Sequence, residues 1–201
     1  IGERVLGLPK DWVMTITFSD EQAMLLETAM AFCQKRSPIE SVRASLDSSE
    51  INRDLWDEMA ELGWLGINVP ESFGGLGLGI DSVEPVVESM GRCLMGSPYS
   101  SSMLAAETLV NAGNEAQKAR WLPALASGAR GTMALTEEDG SWLLNEVSAS
   151  AAPRQGVLAM SDTKYFVTDA DVADVIIASI NLDGAASLVL IQRDQILYLI
   201  F

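Results

Sequence analysis

Gly131-Thr132-Met133-Ala134-Leu135-Thr136, running straight into Glu137-Glu138-Asp139-Gly140-Ser141, is the stretch on which the fold turns. An apolar run ends there in an acidic, glycine-containing turn. Upstream, apolar residues recur at helical spacing; downstream they fall into short β-rich runs. The segment therefore marks where a helical layer hands over to a sheet, a junction that suits a cofactor. The fold class expected is α+β, an N-terminal α-helical bundle followed by an antiparallel β-domain of barrel or sandwich type.

Upstream, Ser19 and Gln22 form a capping box, with Leu25, Leu26, Ala29, Met30 and Cys33 following on one face until Ser37-Pro38. A second helix starts near Asn52, buries Leu55, Trp56, Met59 and Leu62, and stops at Gly63. Trp64 to Pro70 reads as extended. The glycines of Glu71-Ser72-Phe73-Gly74-Gly75-Leu76-Gly77-Leu78-Gly79 lack the G-x-G-x-x-G spacing and no G-K-[ST] follows, so the segment reads as a connector with unusual backbone angles. Asp81 and Glu84 open a third helix with Val83, Val86, Val87, Met90 and Leu94 on one face. A fourth runs from about Ser100 to Ala112, and Asn114 with Gln117 boxes a fifth that carries Trp121, Leu122 and Leu125, with Pro123 bending or dividing it. Bundle packing explains these stripes more simply than ligand contacts do.

Downstream, Val157–Met160, Lys164–Thr168, Val172–Ile180 and Ser187–Ile191 read as strands, separated by turns such as Ser161-Asp162 and Asn181-Leu182-Asp183-Gly184. The ending Gln195-Ile196-Leu197-Tyr198-Leu199-Ile200-Phe201 is apolar and strand-like, and an open strand edge invites aggregation. More chain or another subunit is expected to cover it, so a homo- or hetero-oligomer is expected.

Composition narrows the function classes. A chain of 201 residues with 48% apolar content can bury one substantial core or two small ones. No apolar run reaches the roughly 18 residues of a membrane span, and the N-terminus lacks the pattern of a secretory signal, which points to a cytoplasmic protein. The absence of histidine removes Ser-His-Asp and Cys-His catalysis and argues against zinc. A net charge of -15, from 13 Lys+Arg against 28 Asp+Glu, opposes a nucleic-acid backbone. Cys33 and Cys93 lie far apart on helices and read as buried hydrophobes rather than a disulfide.

In order and spacing the chain resembles the acyl-CoA dehydrogenase family. The resemblance rests on Phe18-Ser19-Asp20-Glu21-Gln22; Leu62-Gly63-Trp64-Leu65-Gly66-Ile67 with Val69-Pro70-Glu71 and Phe73-Gly74-Gly75; Gly113-Asn114-Glu115-Ala116-Gln117-Lys118 with Trp121-Leu122-Pro123; and Ala134-Leu135-Thr136-Glu137. It covers residues 18 to 193 and implies an extension over 1–17, the family's N-terminal helical domain over 18–130, and an incomplete middle β-domain over 131–201.

The implied activity is oxidation of the Cα–Cβ bond of an acyl-CoA thioester, with hydride passing to FAD and a carboxylate removing the α-proton. The implied partners are the acyl-CoA substrate and an electron-transfer acceptor protein. Thr136 would offer its hydroxyl and backbone N–H to the pyrimidine edge of the flavin, with backbone contacts from Met133 and Leu135. Ser141 would donate to the pyrophosphate, Phe166 would stand where the family commonly has tryptophan, and Thr168 would approach the N5 side. The family places its catalytic glutamate in a third domain, so no residue of this chain is assigned as the base.

Departures from the family pattern qualify this. Where members commonly read T-E-P-x-x-G-S-D, this chain reads Thr136-Glu137-Glu138-Asp139-Gly140-Ser141-Trp142, one residue shorter and without the final aspartate. Glu137, Glu138 and Asp139 read as a solvated turn, Lys164 as a surface strand residue and Trp121 as core. The small residues Gly96, Ser97, Ser100, Ser101, Ser102, Ala105 and Ala106 suit either an acyl-tail pocket or close helix packing. The alternative to a dehydrogenase is a non-catalytic, dehydrogenase-like partner or structural subunit, and bound flavin discriminates the two.

Overall fold

The computed structural model describes residues 18–46, 51–141, 143–154, 157–160 and 162–195. The expected N-terminal extension over 1–17 and the apolar ending over 196–201 lie outside them. Among the described residues six helices come first: α1 (Asp20–Arg36), α2 (Ile39–Ser45), α3 (Arg53–Glu61), α4 (Glu84–Arg92), α5 (Tyr99–Ala112) and α6 (Glu115–Ala126). Both expected capping boxes form. Gln22 N donates to Ser19 Oγ at 3.2 Å and Ser19 N to Gln22 Oε1 at 3.0 Å, while Asn114 and Gln117 exchange the same pair at 2.9 Å each. Acidic residues in the first turn of α1 and basic ones in its last complement the helix dipole. Gly63 ends the α3 segment in the left-handed conformation at φ 76°, and Pro123 sits inside α6 without dividing it.

The helices bury one cluster of their own, in which Ala29 and Cys33 of α1 meet Leu55, Trp56 and Met59 of α3, Val86 and Met90 of α4, and Tyr99 and Met103 of α5. Cys33 behaves as a hydrophobe: its sulfur lies 3.8 Å from Met95 Sδ, and burial, with Cys93 nearby, pushes its thiol up to about 11. A second cluster belongs to both halves of the chain. Ala105, Ala106, Leu109, Leu122 and Leu125 pack against Val175 and Ile177 of the sheet.

The strands are β1 (Gly131–Ala134), β2 (Ala151–Arg154), β3 (Val157–Met160), β4 (Val175–Leu182) and β5 (Ala185–Gln192). One sheet has the order β1-β4-β5, and β2-β3 form a separate antiparallel hairpin. The α+β class stands, with one revision: pairing is not antiparallel throughout. β1 runs parallel to β4, with Gly131 opposite Val175 and Ala134 opposite Ala178. The chain leaves β1 through a long loop and the β2-β3 hairpin, then re-enters in the same direction; among the described residues no α-helix forms the crossover. β4 turns into β5 through Asp183-Gly184, at φ 52° and 85°, the conformation that two-residue hairpin loops favour.

Several local expectations change. Trp64–Gly66 is a single turn of 3-10 helix, not extended chain, and a second such turn, Glu71–Phe73, opens the glycine connector. Trp64, Leu65, Ile67 and Val69 are buried, and a run apolar on every side carries no period by which to tell a strand from a turn. The glycine segment is the connector expected: Leu76 N, Gly77 N and Leu78 N donate to Gly66 O, Val69 O and Ile67 O at 2.8–2.9 Å. Leu62 is exposed rather than buried at the end of α3, and Val87 and Leu94 are exposed rather than part of the α4 core face. Lys164–Thr168 is an irregular loop, and α2 and β2 were not anticipated.

Candidate functional site

The hydrogen bond from Val175 N to Arg130 O, 3.2 Å, fixes the phase of the parallel pairing. In such a ladder alternate residues turn their backbone toward the neighbour. Thr132 and Ala134 therefore face β4, while Gly131 and Met133 face the outer edge. One residue past the end of β1 the alternation breaks, and the Leu135 carbonyl turns back to accept from Ser179 Oγ of β4 at 3.2 Å, which leaves the Thr136 N–H on the opposite side of that peptide. At Gly131 that edge is closed by α5, because Gly131 N donates to Ser102 Oγ at 3.2 Å. Further along it is open. Among the described residues, no protein group bonds the N–H of Met133, Leu135 or Thr136, or the Thr136 hydroxyl.

The 164–168 loop runs beside this open end and is tied to it at three points. Tyr165 N donates to Thr136 O at 2.8 Å, Lys164 Nζ to Leu135 O at 3.4 Å, and Thr132 Oγ1 to Thr168 O at 2.6 Å. Within it Phe166 is 89% exposed and adopts φ 54°. A left-handed backbone costs a non-glycine residue about 1 kcal/mol, and an outward phenyl ring recovers nothing by burial. Asp169, also left-handed, is held by Ser101 Oγ at 2.6 Å. The loop that carries Phe166 and Thr168 thus runs beside the segment that carries Met133, Leu135 and Thr136. Ser141 is engaged separately: its hydroxyl donates to Glu146, and its N–H to Asp139 Oδ1 at 3.0 Å.

Glu137 and Lys164 overturn the expectation of a solvated turn and a surface lysine. Their side chains are 12% and 6% exposed and form an ion pair at 2.7 Å. Glu137 also accepts from Ser148 N and Ala149 N at 2.9 Å each and from the Ser148 hydroxyl. Burial pushes its carboxyl up, but the bonds from Lys164, Ser148 and Ala149 outweigh that and hold it at about 2. The partners lie 27 positions apart, so no local pattern announces them. Glu138 and Asp139 do stay exposed, and Trp121 is partly buried at the rim of the core, its ring 5.4 Å beneath the Arg120 guanidinium.

The small residues of α5 serve close approach. A Cβ added at Gly131 would lie 2.6 Å from Ala105 Cβ, so helix and strand meet almost backbone to backbone. Among the described residues no group of three or more His, Cys, Asp or Glu forms a candidate metal site, and no helix is long and apolar enough to cross a membrane.

The model of the acyl-CoA dehydrogenase N-terminal domain matches residues 19–129. The chain belongs to the acyl-CoA dehydrogenase family. It is 31% identical over 173 residues to the mitochondrial isovaleryl-CoA dehydrogenase of Pongo abelii, covering 84% of this chain and 41% of that relative. It is 34% identical over 132 residues to the (2S)-methylsuccinyl-CoA dehydrogenase of Cereibacter sphaeroides, covering 62% and 24% respectively. Among solved structures it is similar to the Tcur3481-Tcur3483 steroid ACAD, with a TM-score of 0.79 at 28% identity over 87% of this chain and 48% of that one. An acyl-CoA dehydrogenase complexed with FAD from Bacillus anthracis superposes with a TM-score of 0.74 at 29% identity over 88% and 32%. The chain spans less than half the length of each of these acyl-CoA dehydrogenases.

Proposed function

We propose that this chain forms the flavin-facing part of an FAD-dependent acyl-CoA dehydrogenase. The observation that carries the reading is the coincidence, at positions picked out by the family resemblance, of an open backbone edge at Met133, Leu135 and Thr136 with the outward, strained aromatic Phe166. Amide and hydroxyl donors fit the acceptor-rich pyrimidine edge of a flavin, and an exposed phenyl ring fits its face.

FAD, when bound, supplies the hydride acceptor for oxidation of the acyl Cα–Cβ bond. The residues of this chain position and polarise. Met133, Leu135 and Thr136 would present donors to the flavin, Phe166 and Thr168 would hold its ring, and Ser141 would serve its phosphates. Glu137 is no candidate for the base, since a carboxyl held at about 2 and committed to Lys164 is a weak proton acceptor at neutral pH. The α-proton is left to a carboxylate outside this chain, and the partners follow: an acyl-CoA, an electron-accepting protein, and further chain or subunits to complete the site. A non-catalytic partner subunit is the second reading, favoured by the Ser141 hydroxyl being turned onto Glu146 with exposed Glu138 and Asp139 beside it.

Flavin absorption decides between them. The purified protein is expected to be yellow with an oxidised-flavin band, and Phe166→Ala is expected to lower flavin retention while leaving the thermal midpoint of the flavin-free protein unchanged. A full-length protein that is colourless and takes up no added FAD would support the second reading.

A further inference from the structure

Behind the open edge lies a polar chain that the flavin reading leaves unused. Lys164 Nζ spends its three protons on Glu137 Oε1 at 2.7 Å, Ser179 Oγ at 3.0 Å and Leu135 O at 3.4 Å. Ser179, fully buried on β4, donates to the same Leu135 carbonyl at 3.2 Å. The Leu135 carbonyl and the Thr136 N–H belong to one peptide group. Hydrogen bonds in a chain polarise one another, so pulling electron density onto that carbonyl makes the Thr136 N–H a stronger donor. Glu137 anchors the ammonium on its far side, and Ser148 and Ala149 anchor Glu137.

We propose that Lys164 and Ser179 are positioning residues that act through the Leu135–Thr136 peptide on the pyrimidine edge of the flavin and raise its reduction potential. The proposal rests on the flavin reading above. Negative charge gathers on that edge as the ring is reduced, and a donor aimed where charge develops stabilises the reduced form more than the oxidised one. A purely architectural ion pair would change melting without changing the potential.

The test measures the flavin midpoint potential, flavin content and thermal midpoint of the FAD-loaded protein as wild type, Lys164→Met, Lys164→Arg and Ser179→Ala. Lys164→Met is expected to disfavour reduction about tenfold, about 30 mV for a two-electron couple. Ser179→Ala, which leaves the ion pair intact, is expected to shift the potential the same way by less and to melt close to the wild type. Lys164→Arg, which keeps the charge, is expected to restore most of the value. Potentials unmoved in flavin-loaded Lys164→Met and Ser179→Ala overturn the proposal and leave the flavin reading standing; if Lys164→Met fails to fold, Ser179→Ala decides alone. A wild type that holds no flavin overturns both.

Discussion

At the scale of single residues, Glu137 sets a pH dependence whose sign follows from its partners. Its carboxyl lies at about 2 in the folded chain against an ordinary 4.5. A folded value below the unfolded one stabilises the fold fully above pH 4.5, and that contribution drains away as pH falls toward about 2. Glu137→Gln leaves the Lys164 ammonium buried without its counter-charge, which costs roughly 3 kcal/mol. Urea denaturation of the wild type at pH 7 and pH 3 is expected to show a loss at acid pH that is smaller in Glu137→Gln, which keeps only the share of other paired carboxylates such as Asp174. The double variant Glu137→Gln/Lys164→Met is expected to be less destabilised than the two single losses summed, because the charges are removed together. Strict additivity would show that the 2.7 Å contact carries no coupling.

At the scale of elements, the glycine connector is pinned by approach distance. A Cβ on Gly75 would lie 2.1 Å from Val69 O and 2.5 Å from Val69 Cβ, whereas one on Gly74 would meet nothing within 4 Å. Gly75→Ala is therefore expected to cost several kcal/mol, as an overpacked core does. Gly74→Ala is expected to cost only about 1 kcal/mol for its left-handed φ of 85°. Equal thermal shifts in the two variants would show that the loop relaxes and the contact with Val69 is soft. The same contrast explains which elements were legible in the sequence. The capping boxes at Ser19 and Asn114, the stop at Gly63 and the hairpin at Asp183-Gly184 are written in residues a few positions apart, so pattern sufficed. The parallel pairing of β1 with β4, the burial of Lys164 and the coil at Lys164–Thr168 depend on partners far away in the chain. The outward-facing donor of Met133 follows only once the phase of that pairing is known, although the β1 end itself could be read from Leu135-Thr136-Glu137.

For the molecule as a whole, the division at residues 130 and 131 suggested by the change in apolar period does not coincide with a break in the core. Val175 and Ile177 of β4 share one buried cluster with Ala105, Leu109, Leu122 and Leu125 of the helices. Arg130 clasps Asp174 across the same boundary with two guanidinium bonds and a backbone N–H, each 2.9 Å. Burial pushes the Asp174 carboxyl up, but the Arg130 bonds prevail and hold it below its ordinary value. Neither half can open without exposing the other's apolar face, so helices and sheet are expected to unfold in one transition. Native-state hydrogen exchange is the measurement: core amides of α3 and β4 are expected to share one opening free energy. Asp174→Ala, which removes charge-assisted bonds worth about 1–3 kcal/mol, is expected to lower both together. If β4 opened at distinctly lower free energy than α3, or if Asp174→Ala weakened the strand alone, the two halves would be separate folding units and the cluster at Val175 merely a contact between them.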